Sequence, residues 1–313
     1  MATIATGRRH KLRTLGIVAG SVALALIGTR AWLLRDPEPH FRERHSGLAS
    51  VQVSDVRLDR AMREEDVVVH DSSGLRVEMR VRRRADTAAS TPSPLLVLLG
   101  GHMSGKESAS LIADPREFVV ASLSYPFDGN ERVTGVAVVG EVPGIRRAIW
   151  DTPPAVMLAL DYLLTRPDVD PARVELVGAS FGVPFAAVVG ALDPRVKRVW
   201  LVQGGGDPYT LILAGLQSEI GFMPARKFGA ALASTLASGP RFAPERWVSR
   251  IAPRPVMMVN TLDDERIPRS TAEALYAAAR EPKTIVWLPG LHVQPNRPDV
   301  LGALVDAVLS GAR

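Results

Sequence analysis

The stretch LRVEMRVRRR carries the simplest pattern in the chain. Leu75, Val77, Met79 and Val81 alternate with Arg76, Glu78, Arg80 and Arg82. A period of two puts one set on a buried face and the other on a charged face, which predicts a half-buried strand whose arginines are solvated. The run VVV at 67–69 precedes it across HDSSG, so the two form a hairpin. Further along, LLVLL at 95–99, FVVASLSYP, RVELVG, RVWLVQGGG, PVMMVN and TIVWLPG are short runs, apolar on both faces. Segments of helical period lie between them. Val156, Ala159, Leu160, Leu163 and Leu164 mark one helical face, with a start predicted at Asp151 or Thr152 as cap and Pro153 in the first turn. FGVPFAAVVGAL, STAEALYAAAR and DVLGALVDAVL are further helices. Such alternation predicts an α/β fold, a mostly parallel sheet flanked by helices, with no internal repeat. In these sheets chemistry sits at the carboxyl ends of the strands.

Charge and composition alter the picture only at the N-terminus. The net charge of +5 comes from residues 1–45, which hold eight Lys/Arg against three Asp/Glu; the thirty of each that remain leave 46–313 neutral. A nucleic-acid-binding domain would be basic in its body, so no nucleic-acid partner is expected. The absence of cysteine excludes disulfides, thiolate metal sites and cysteine nucleophiles. Arg8, Arg9, Lys11 and Arg13 precede an uncharged run over 15–29, and only Arg30 interrupts the apolar character up to Leu34. Twenty residues make a helix of about 30 Å, enough to span a bilayer. The expectation is an N-terminal signal anchor over about 15–34 with a tether to residue 45, and a single domain over 46–313 held outside the cytoplasm at the cell membrane. Secretion after signal cleavage is the alternative, disfavoured because Arg30 stands where a small residue is wanted.

The candidate chemistry lies where strands end. RVELVG runs into Gly178-Ala179-Ser180-Phe181-Gly182, a G-x-S-x-G between strand and helix, and a helix start there offers free N–H groups to developing negative charge. A serine hydroxyl needs a base, and the body holds three histidines: His70 in the hairpin turn, His102, and His292 after the last strand. His292 is the natural general base. A carboxylate must orient it, and TLDDERIP after PVMMVN supplies Asp264, with Asp263 and Asp207 as alternatives. LLVLLGGHMSGKES at 95–108 nearly matches the phosphate-binding loop G-x-x-x-x-G-K-[ST], but Glu107 takes the position of the magnesium-binding hydroxyl. Neither metal-ligand spacing nor a dinucleotide fingerprint appears, so no cofactor is expected.

With these residues in place the chain, over about 66–313, resembles the α/β-hydrolases. GASFG resembles their nucleophile elbow, D-x-x-I-P at 264–268 their acid loop, and the order Ser180, Asp264, His292 is theirs. VDPARVELVGASFG is similar to the dienelactone-hydrolase and prolyl-peptidase-like branches; Val183 departs from a glycine common at that position. The resemblance implies that 100–102 is an oxyanion loop, in which the N–H of His102, or of Met103, joins that of Phe181. It implies a serine hydrolase that cleaves a small-molecule carboxylic ester through an acyl-enzyme. A peptidase or acyltransferase with the same triad, or a non-catalytic binding protein on the same fold, are the other readings. The apolar segments within 208–245 are expected either to cap the site or simply to cover the sheet.

Overall fold

In the computed structural model the described residues are 34–59, 61–86, 92–129 and 138–312, with isolated positions between 20 and 32. The chain divides into two compact units, 1–37 and 38–313. Among the described residues no helix is long and apolar enough to cross a membrane. That finding goes against the expected membrane anchor and the localisation drawn from it; most of the span 15–34 lies outside the described residues.

The second unit opens with helix α1 (Glu38–Arg44), whose Phe41 is fully buried against Trp150, Phe242 and Trp247. Nine strands then build one sheet: β1 (Leu48–Asp59), β2 (Met62–Asp71), β3 (Arg76–Arg84), β4 (Ser93–Leu99), β5 (Val119–Leu123), β6 (Val169–Ala179), β7 (Arg198–Val202), β8 (Val256–Thr261) and β9 (Lys283–Leu288). Their order across the sheet is β1-β2-β3-β5-β4-β6-β7-β8-β9. The pairings from β1 to β5 are antiparallel, and the five from β5/β4 to β8/β9 are parallel. The predicted mostly parallel sheet is therefore present, extended at one edge by antiparallel ribbons.

Alternation along the central strands divides the core in two. Leu95, Val97 and Leu99 of β4 face one layer, with α2 (Val138–Leu163) and α3 (Val183–Leu192). Leu96 and Leu98 face the other, with the C-terminal helix α9 (Pro298–Gly311). The remaining helices are α4 (Pro208–Gly215), α5 (Met223–Leu236), α6 (Gly239–Phe242), α7 (Pro244–Val248) and α8 (Arg269–Ala278).

Two local expectations need correcting. Helix α2 begins at Val138, not at Asp151, and carries Pro143, Pro153 and Pro154 inside it. A proline removes a helical N–H and normally marks a start or a break. Here the preceding turns are held by packing, because Ile149 and Trp150 lie against the core, and Asp151 bonds Arg44 at 3.0 Å instead of capping. The arginine face of β3 is solvated only at its start, where Arg76 is exposed. Arg80 and Arg82 are buried and sit directly across from Asp66 and Glu64 of β2. Arg80 donates to both Asp66 oxygens at 2.7 and 3.0 Å and also meets Glu107, while Arg82 pairs with Glu64. Alternation fixes which side a residue faces, not whether a loop covers that side.

Candidate active site

Strand β6 ends at Ala179, and Ser180 follows in a left-handed conformation with φ of 52°. An L-residue there is strained, which raises the side chain above the turn. The glycines either side are required by close approach. A Cβ on Gly178 would lie 2.6 Å from the Ala186 Cβ, and one on Gly182 would overlap the Leu99 carbonyl of β4. Pro184 enters α3 in its first turn, where no helical N–H is lost. The Val183 N–H at this helix start donates to the Ser180 carbonyl, which closes the turn.

Strands β8 and β9 are parallel neighbours, so the loops after them leave the sheet at the same end as Ser180. The β8 loop carries Asp264 and the β9 loop carries His292. His292 Nε2 lies 2.8 Å from Ser180 Oγ, and His292 Nδ1 lies 2.9 Å from Asp264 Oδ2. Both the His292 and Asp264 side chains are almost completely buried. Asp264 Oδ1 accepts from the backbone N–H of Arg266 and of Ile267, each at 2.9 Å, which fixes the carboxylate's rotation. Of the alternative acids, Asp263 is exposed, and Asp207 caps α4 by accepting from the Thr210 N–H and hydroxyl. His70 pairs into β2, away from this group. The structure thus brings Ser180, His292 and Asp264 into one hydrogen-bonded line, an arrangement able to move a proton from a hydroxyl to an imidazole whose charged form is stabilised.

The histidine loop is held by residues that the pattern of the chain does not single out. Gln203, fully buried one residue past β7, donates to the Leu291 carbonyl at 2.9 Å and accepts from the Val293 N–H at 2.6 Å, so one amide grips the backbone on both sides of His292. Glu265 accepts from the His292 N–H at 2.8 Å, and Arg297 bridges the Glu265 carboxylate and the His292 carbonyl, both at 2.7 Å. The only sequence signal for Gln203 is its place at a strand's carboxyl end.

Burial alone would raise the Glu265 carboxyl, but the His292 N–H and the Arg297 guanidinium outweigh it and hold it at about 2, against an ordinary 4.5. A depressed folded value means a contribution to stability that is complete above pH 4.5 and lost as pH falls towards 2. Glu265→Gln is therefore expected to flatten the pH dependence of the urea midpoint within that window. An unchanged acid limb would show that the carboxylate's partners add nothing to stability. The effect should be modest, because the side chain is 39% exposed.

The loop after β4 contains a 3-10 turn (Gly105–Ala109) and is pinned by the Tyr125 hydroxyl, which donates to the Gly100 carbonyl at 2.6 Å. Tyr125 also packs its ring on Phe181 and Phe185, tying this loop to the elbow. Lys106, the lysine of the near phosphate motif, lies 3.4 Å from both Asp66 and Glu78 and is committed to carboxylates. No hydrogen bond among the described residues uses the N–H of His102 or of Met103. His102, Phe181, Ser180 and His292 together border a cavity of about 550 Å³. None of its lining comes from 208–245, so those helices do not shape it. Among the described residues no three His, Asp or Glu side chains converge as a metal site.

Comparison with known proteins agrees with this architecture. No family model matches the chain. The curated relatives include the uncharacterized protein YfhR of Salmonella typhi, 29% identical over 146 residues, which covers 43% of this chain and 45% of that protein. An uncharacterized protein of Mycobacterium tuberculosis (strain ATCC 25618 / H37Rv) is 30% identical over 152 residues, 48% of each chain. The chain thus spans about half the length of the curated relatives it matches. Among solved structures, acetyl xylan esterase 1 from Thermoanaerobacterium sp. superposes with a TM-score of 0.61 at 17% identity, covering 86% of this chain and 92% of that one. The alpha/beta hydrolase GrgF from Penicillium sp. superposes with a TM-score of 0.57 at 18% identity, covering 80% and 97%. At these identities the likeness is one of fold, and that fold is the α/β-hydrolase fold.

Proposed function

We propose that the protein is a serine hydrolase acting on a carboxylic ester. The observation that carries this reading is the line from Asp264 Oδ2 through His292 to Ser180 Oγ, at 2.9 and 2.8 Å, opening on a cavity. Esterases among the structural neighbours support the choice of ester over other acyl compounds.

In this mechanism Ser180 Oγ gives its proton to His292 Nε2 and bonds to the acyl carbon. Negative charge passes to the former carbonyl oxygen, which takes hydrogen bonds from the N–H groups of Phe181 and of His102 or Met103. One such donor is worth about 3–4 kcal/mol in the transition state. Asp264 stabilises the imidazolium while it lasts. His292 then returns the proton to the departing alkoxide, leaving Ser180 acylated. Water, activated by the same Nε2, attacks the acyl-enzyme and releases the acid, and the proton returns to Oγ.

The test is a fluorophosphonate probe on the folded protein, followed by mass mapping of the adduct. The expected result is a single adduct on the peptide containing Ser180. A folded protein that takes no label, or takes it on another residue, would remove this reading.

A further inference from the structure

The cavity beside Ser180 does more than admit a reacting carbonyl. The crossover from β4 to β5, residues 100–118, joins two parallel strands with no regular element beyond the 3-10 turn (Gly105–Ala109). Such crossovers usually carry a full helix that covers the sheet. Here that cover is thin, and the space it leaves is part of the cavity. Its walls are Leu96, Val177 and Val202 from the sheet, Ile112 from the crossover, and Leu304 and Val308 from α9. All six are buried and apolar. The charged side chains that border it, Glu107 and Arg266, are both exposed and belong to its solvent side. Ser104, Ser108 and Gln294 also line the space, but the aliphatic wall gives an apolar guest surface to bury against.

We propose that this space seats the acyl chain of the substrate, running from Ser180 between the sheet and the C-terminal helix, and that it suits an unbranched chain of medium length. The proposal rests on the ester-hydrolase reading and names its substrate class. The α9 residues on the wall run from Leu301 to Leu309. The eight residue steps between them rise about 12 Å. An extended chain advances about 1.2 Å per bond, so about ten bonds fit, an acyl group of roughly eight to ten carbons. Each methylene buried there raises kcat/KM by about fourfold. Specificity thus comes from beneath the sheet's carboxyl end, not from the helices of 208–245, which do not touch the cavity.

The experiment compares p-nitrophenyl acetate with p-nitrophenyl octanoate on the full chain, alongside fluorophosphonate labelling. Wild type is expected to favour octanoate by at least about a hundredfold in kcat/KM. Leu304→Trp, which fills the middle of the space, should cut the octanoate-to-acetate ratio by about thirtyfold or more. Val308→Ala, which enlarges it, should move the preferred acyl chain one or two carbons longer, and it serves as the reading if the tryptophan variant does not fold. A wild type that turns over acetate as well as octanoate overturns the proposal while leaving the ester-hydrolase reading intact. So does a ratio that neither variant alters. Failure of Ser180 to label, with no ester of any length consumed, is the failure of the hydrolase reading and takes this proposal with it.

Discussion

Asp264→Asn is expected to lower kcat by about four orders of magnitude with the fold preserved, as loss of the correct histidine tautomer does in enzymes that use a Ser-His-Asp triad. Asp264 Oδ1 is held by the N–H groups of Arg266 and Ile267, both donors at 2.9 Å, and lies 3.1 Å from His292 Nδ1, farther than Oδ2. An introduced amide must keep its oxygen there, because its NH2 cannot accept from them. The NH2 then replaces Oδ2 and faces His292 Nδ1, which lies 2.9 Å away in the native protein. Nδ1 becomes an acceptor, the ring proton moves to Nε2, and Nε2 can no longer take the proton of Ser180. The loss should fall on kcat, with KM little changed, because Asp264 is buried behind His292 and does not border the cavity. Steady-state kinetics on a p-nitrophenyl ester reads this directly. Less than a tenfold loss in a well-folded variant would mean that Asp264 does not set the tautomer, and that the hydrogen-bonded line has no catalytic role.

What could be read from the sequence follows from the range of the interactions involved. The central strands are legible because burial on both faces demands unbroken apolar runs such as LLVLL, and β4 and β6 lie where those runs fall. Ser180 is legible because G-x-S-x-G is a local requirement: two backbone approaches exclude a Cβ at 178 and 182. His292 and Asp264 are legible because a parallel sheet brings all its strand ends together. The start of α2 is not legible, since Pro153 marks a helix start unless distant packing of Ile149 and Trp150 overrides it. Nor is the state of Arg80 and Arg82, which depends on the loop bearing Glu107, 27 residues beyond Arg80, folding over β3. The apolar cavity is the same kind of case: it arises from what the 100–118 crossover fails to cover, and no local motif records that.

The clearest residue of that long-range kind is Gln203, and its loss should separate positioning from chemistry. Its side chain makes three hydrogen bonds, to Thr261 Oγ1 at 2.6 Å, to the Leu291 carbonyl at 2.9 Å and from the Val293 N–H at 2.6 Å. Gln203→Leu keeps the volume and removes all three. Thr261 Oγ1 still reaches the Leu291 carbonyl at 3.1 Å, so that acceptor retains a partner, whereas the Val293 N–H is left with none from this side chain. An orphaned buried donor costs about 1–3 kcal/mol, so a loss of about 2 kcal/mol in urea unfolding is expected. The Glu265 and Arg297 bonds to the His292 backbone remain, so the loop should stay in place but shift. A displacement of about 1 Å costs about a hundredfold in rate. The expected signature is a kcat lowered by one to two orders of magnitude with KM nearly unchanged. If Gln203→Leu lost stability but kept wild-type kcat, the residue would support the fold alone, and the burden of placing His292 would rest on Asp264 and Glu265.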